Sequence, residues 1–146
     1  MVRSLRFVAA LVLLGSIGGC EPAPVAIPPG AQQVAVAVSA TTVTLTPSAV
    51  PAGDVYLVLA FPTGGPGEVW LVRSGNGGLS DGQIAQLAQT GDAGQGILQE
   101  SMSASCCGNV VKKTLVAGKY AIILPGPEGS ASVVPPISTA ILEVNP

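Results

Sequence analysis

Cys106 and Cys107 stand side by side, with Met102 shortly upstream, in a Gly/Ser-rich stretch running from Gly94 to Asn109. Two chemistries suit such a set. Adjacent cysteines in an exported chain can close a vicinal disulfide, a strained ring able to change redox state. Two thiolates and a thioether also suit soft Cu(I). The inert alternatives are a disulfide that only stiffens the loop before Val110, or two reduced thiols packed beneath it. An absence limits everything else. The chain has no histidine, which removes the commonest general base and the commonest metal ligand together. Ser101, Ser103 and Ser105 therefore lack an imidazole to activate them, and no lysine is placed to replace it. Asp81, Asp92, Glu100 and Glu128 are dispersed, and nothing in their spacing demands a paired-carboxylate site, so solvated charge is the expectation. Gly64-Gly65-Pro66-Gly67 and Gly75-Asn76-Gly77-Gly78 lack the lysine and the strand-to-helix setting of a phosphate loop and read as turns. No catalytic residue and no cofactor are expected.

Cys20 has a different setting. Arg3 and Arg6 form a basic start, Phe7 to Leu14 an apolar stretch, and small residues lead to Ile17-Gly18-Gly19-Cys20. This is the pattern of a secretory signal. Its ending resembles the bacterial lipobox, at which the cysteine is acylated and becomes the mature N-terminus. A spanning helix needs about 20 apolar residues, and this segment is shorter and interrupted by glycine. Residues 1–19 are thus expected to be a lipoprotein signal peptide, with Cys20 as the lipid attachment site. With Cys20 acylated, two of the three cysteines remain, and Cys106–Cys107 can pair internally as a disulfide. Export to an oxidising compartment favours that pairing.

Beyond the signal, 146 minus 19 residues, or 127, remain, the length of one ordinary domain. They hold four basic residues, Arg73, Lys112, Lys113 and Lys119, against all eight acids, a formal charge of four minus eight, or −4. Such a surface has neither the basic footprint of a nucleic-acid binder nor the polybasic patch that holds anionic lipid. Membrane attachment must then be covalent. Glu21 to Gly30 is Pro-rich and reads as a tether, so residues 20–32 join the anchor to a domain over 33–146.

Only 10% of residues are charged, and β-branched runs alternate between Gly/Pro punctuation, the signature of an all-β domain. Val34, Val36 and Val38, then Val43 and Leu45, read as one offset strand or two short ones, followed by a turn-rich connection from Thr46 to Gly53. Asp54 to Phe61 is apolar on both faces and reads as a central, doubly covered strand. Further strands fall at Glu68–Arg73, Val110–Val116, Tyr120–Leu124 and Thr139–Val144, with a Pro-rich loop over Pro125–Pro136. Trp70, within a β run, is expected in the core. Between strands the period changes. Ser80 and Gln83 form a capping box, Leu79 and Ile84 a hydrophobic staple, and Gly91 a stop. One short helix from Asp81 to about Thr90 follows.

Three places together resemble the cupredoxin superfamily. Val43 to Tyr56 is similar to its early strand, turn and strand, with Pro51-Ala52-Gly53 opening the second. Glu68-Val69-Trp70-Leu71-Val72 sits where the family has its first copper-ligand histidine and an apolar strand. Leu115-Val116-Ala117-Gly118-Lys119-Tyr120 resembles the Leu-x-x-Gly-x-Tyr that leads to the ligand cysteine. The resemblance implies a cupredoxin-like Greek-key β-sandwich with one short inserted helix; an immunoglobulin-like sandwich is the alternative. It also places Glu68 at the first histidine, Leu124 at the cysteine, and Glu128 or Gly129 near the second histidine. Blue copper needs two imidazoles and a thiolate, which these residues do not supply.

The expected function is a membrane-anchored extracytoplasmic lipoprotein: a non-catalytic binding or accessory module for an unidentified protein or small-molecule ligand. The alternatives are a Cu(I) or thiol redox protein using Met102, Cys106 and Cys107, and a structural envelope protein. Mass spectrometry of protein extracted without reductant reads both cysteine assignments. Cys20→Ser should lose the lipid mass and leave the detergent phase, while Cys106 and Cys107 resist alkylation. Retention of Cys20→Ser in detergent at unchanged mass contradicts the anchor, and two alkylated thiols contradict the disulfide.

Overall fold

A computed structural model describes residues 24–104, 109–126 and 135–146. They form β1 (Gln32–Val38), β2 (Val43–Thr46), β3 (Ala49–Pro51), β4 (Gly53–Ala60), β5 (Glu68–Ser74), α1 (Asp81–Thr90), β6 (Ile97–Ser103), β7 (Val110–Leu115), β8 (Gly118–Leu124) and β9 (Ser138–Asn145). A four-stranded sheet in the order β2-β1-β4-β7 packs on a five-stranded sheet in the order β3-β9-β8-β5-β6. Both sheets are mixed, since β1 pairs parallel with β4 and β3 parallel with β9.

Alternation builds the layer between the sheets. Val34, Val36 and Val38 of β1 are buried while Ala35 and Ala37 face out, the period-2 pattern of a strand with one dry face. They join Val55, Leu57 and Leu59 of β4 and, from the other sheet, Val69, Leu71, Tyr120, Ile122, Leu124 and Leu142 in one core. A second core lies outside the five-stranded sheet, where Leu87 of α1 packs with Val72, Ala121 and Ile123. The helix starts and stops as its sequence expects. Gln83 N–H donates to Ser80 Oγ at 3.2 Å, Ser80 N–H donates to Gln83 Oε1 at 2.9 Å, and Gly91 closes the end at φ 76°. Such a cap stabilises a helix by about 1 kcal/mol.

Three sequence expectations are corrected. β4 is central, between β1 and β7, but not doubly covered. Its outward residues Asp54 and Ala60 are exposed, and only Tyr56 is buried there, with the Lys112 ammonium 5.9 Å from its ring centre. The helix instead covers β8, which is buried on both faces from Tyr120 onward. The turn-rich connection after Thr46 contains β3, and the Gly/Ser-rich stretch after Gly94 contains β6, which pairs with β5 from Glu68↔Ser103 to Ser74↔Ile97. Both missed strands lie on sheet edges, where one neighbour supplies all the pairing and little alternation is needed. Trp70 packs half-buried against the outer core.

The chain enters β1 at one end of the sandwich and leaves β9 at the same end. Residues 39–42, 61–67, 125–126 and 135–137 lie at the opposite end, about 20 Å away by the rise of a seven-residue strand. At the entry end, Gly78 and Gly118 meet backbone to backbone. A Cβ on Gly118 would lie 2.7 Å from Gly78 Cα, and Gly118 has φ +152°. The contact lets Leu79 N–H donate to the Lys119 carbonyl at 2.6 Å. Two residues on, the Tyr120 hydroxyl donates to the Val116 carbonyl at 2.9 Å, a tyrosine corner. Gly118→Ala should destabilise the domain by about 2 kcal/mol or more through clash and backbone strain. Gly67→Ala, with nothing near its added carbon, should change stability by less than about 1 kcal/mol. Urea denaturation compares them, and equal effects would contradict the close contact.

Candidate functional site

At the end opposite the chain entry, Pro66, Gly67, Glu68, Leu124, Pro125, Gly126 and Ile137 line a cleft of about 500 Å³. Small-molecule sites span roughly 300–1,000 Å³. Three elements deliver the walls. Glu68 opens β5, Leu124 ends β8, and Ile137 leads into β9. The Ile137 N–H donates to the Leu124 carbonyl at 2.9 Å, which draws the two ends of the connection together. Val43 N–H donates to Ser138 Oγ at 3.0 Å and ties this end to the other sheet. Leu124 is buried as part of the core, whereas Ile137 leaves nearly half its surface exposed.

Glu68 is the charged side chain of the cleft. Its Oε1 accepts the Trp70 indole N–H at 2.8 Å and the Ser101 hydroxyl hydrogen. Register explains the trio: Trp70 pairs with Ser101 across β5–β6, and Glu68 shares Trp70's face two residues away. Trp70 therefore orients the carboxylate. Sequence reasoning singled out Glu68 and Leu124 through resemblance, and the fold brings both to this cleft. The sequence offers Ser101 only as a nucleophile, because its relation to Glu68 depends on the pairing of β6 with β5.

The cleft does not fit copper. Leu124, Ile137 and the prolines offer no donor, and a single carboxylate cannot replace two imidazoles and a thiolate. Among the described residues no group of three or more His, Cys, Asp or Glu side chains could hold a metal ion. Met102 is buried in the core between the sheets. Cys20, Cys106, Cys107, Glu128 and Gly129 lie outside the described residues.

Three further acids, Glu100, Asp54 and Asp81, carry structural charge. Glu100 points from β6 toward the facing sheet, where it pairs with Arg73 at 3.1 Å and with Lys113 of β7. It was expected to be a solvated acid but instead bridges two edge strands. Lys112 pairs with Asp54 at 2.7 Å, and Lys119 with Asp81 at 2.7 Å. Thus Arg73, Lys112, Lys113 and Lys119 are each engaged by a carboxylate, and none lines the cleft. No helix among the described residues is long and apolar enough to cross a membrane. No protein-family model, curated protein or solved structure matches the chain.

The Lys113 hydrogen bond, opposed by partial burial and aided by Arg73, holds the Glu100 carboxyl below the usual glutamate range. Its folded value is lower than its unfolded one, so its stabilisation is complete above the unfolded value near 4.5 and fades as pH falls through the folded value. Glu100→Gln should cost about 1 kcal/mol at pH 7. The gap to wild type should shrink as the pH drops below 4.5. A gap in urea stability that stays constant down to strong acid would contradict the ion bridge.

Proposed function

We propose that the protein is a lipid-anchored extracytoplasmic binding module, built on a cupredoxin-like sandwich without a blue-copper site, and that it is not an enzyme. One observation carries this reading. Glu68 and Leu124, far apart in sequence and matched by resemblance to copper-ligand positions, line one cleft at the end of the sandwich. A shared cleft is what converging ligand positions require, while the residue types there suit recognition of a ligand and not of copper. The mixed sheets also favour this fold over the immunoglobulin alternative, whose two sheets are antiparallel.

The histidine-free composition supports a non-catalytic role, as does the commitment of Glu100, Asp54 and Asp81 to ion pairs. Lipid on Cys20 would attach the domain at its entry end and leave the cleft facing away from the membrane. The chain outside regular structure from Pro24 to Gly30 is mostly exposed, in keeping with a tether. Titrating Cu(II) into the membrane-extracted protein should produce no intense visible charge-transfer band. A blue, thiolate-type spectrum at stoichiometric copper would overturn the copper-free reading.

A further inference from the structure

We infer that the cleft between Glu68, Leu124 and Ile137 receives a small organic cation, an ammonium or guanidinium group on an apolar body, an assignment that rests on the binding-module reading. The walls divide the work. Pro66, Pro125 and Ile137 present carbon to the ligand body over the buried Leu124, and Glu68 supplies the charged group. Trp70 and Ser101 both donate to Glu68 Oε1, while Oε2 has no partner among the described residues. The carboxylate is thereby held in place before a ligand arrives, which lowers the ordering cost of binding.

Charge sign decides the ligand class. The four basic side chains beyond the signal are paired with Glu100, Asp54 and Asp81, so none of them neutralises Glu68. An anion would meet a carboxylate and no basic side chain. A neutral apolar ligand would cover a carboxylate without compensating it, which costs free energy. A cation answers both, and the formal charge of −4 on the chain beyond the signal enriches cations nearby. Size decides between a small molecule and a protein. An open concavity of about 500 Å³ matches the scale of a small molecule, whereas a stable protein partner needs about 800 Å² of surface on each side. The cleft also lies at the end away from the chain entry, directed at solutes and not at the bilayer.

The test uses the full chain in zwitterionic nanodiscs and three probes of one size: n-butylammonium, n-butanol and butyrate. The chain has one tryptophan, so the Trp70 indole N–H gives a single NMR signal hydrogen-bonded to the group under test. Methyl signals of Leu124 and Ile137 report the walls. Butylammonium should shift all three saturably, about fivefold more tightly than butanol, as expected for a partly exposed ion pair, and butyrate should bind least. Glu68→Gln keeps an acceptor for Trp70 and Ser101, and should reduce butylammonium to the level of butanol without changing butanol. Ile137→Ala should weaken both alike, and it decides the case should Glu68→Gln fail to fold. Equal binding of butylammonium and butyrate, shifts away from these residues, or an ammonium preference that survives Glu68→Gln would overturn the inference. A blue copper spectrum would instead defeat the underlying reading, and a copper-silent protein without ammonium preference defeats the cation alone.

Discussion

Strand β8 has no wet face beyond its second residue, and its register governs the rest of the sandwich. Tyr120, Ile122 and Leu124 point between the sheets, and Ala121 and Ile123 point under the helix. A slip of one residue would exchange the two sets, placing tyrosine and leucine where alanine and isoleucine now fit. The register is held at the entry end by Gly118 against Gly78 and by the Tyr120 hydroxyl on the Val116 carbonyl. Both neighbours take their alignment from it: Trp70↔Ile123 in β5 and Leu124↔Ser138 in β9. Glu68 opens the first of those neighbours and Ile137 leads into the second, so the cleft inherits its geometry from a contact at the other end of the domain.

Edges and charges form the second layer of control. Among the described residues β6 and β7 are edges of opposite sheets, each hydrogen-bonded to a single neighbouring strand, the position at which another chain can pair. Glu100 points inward from β6, and Lys112 and Lys113 lie on β7, both devices that discourage edge-to-edge pairing. The other two edges, β2 and β3, are short, and β3 ends in Pro51. With so few charged residues, committing the four basic side chains of the described residues to these ion pairs has a consequence elsewhere. Glu68 is left with Trp70 and Ser101, neutral donors that orient it without cancelling its charge.

Much of this architecture is legible in the chain. Alternating valines mark β1, and Ser80, Gln83 and Gly91 mark the helix because capping is a local interaction. Edge strands are harder: Ile97 to Ser103 is mostly polar on its outer face, and its inward Glu100 makes sense only once Arg73 and Lys113 stand opposite. The apolar run in β4 suggested two covered faces, whereas a flat layer of Lys112 over Tyr56 suffices on one. For the site, family resemblance pointed to Glu68 and Leu124, but the Trp70 and Ser101 partners require knowledge of pairing across β5–β6. The prolines and Ile137 carry no chemical signal of their own and become walls only through convergence of strand ends.

The direct measurement of this account is the set of cross-strand NOEs around β8 in the intact chain. It predicts contacts for Trp70–Ile123, Leu71–Ile122 and Val72–Ala121, together with a protected Ile137 amide bonded to Leu124. Contacts displaced by one residue along β5, or a rapidly exchanging Ile137 amide, would contradict the register and with it the Glu68–Leu124 cleft.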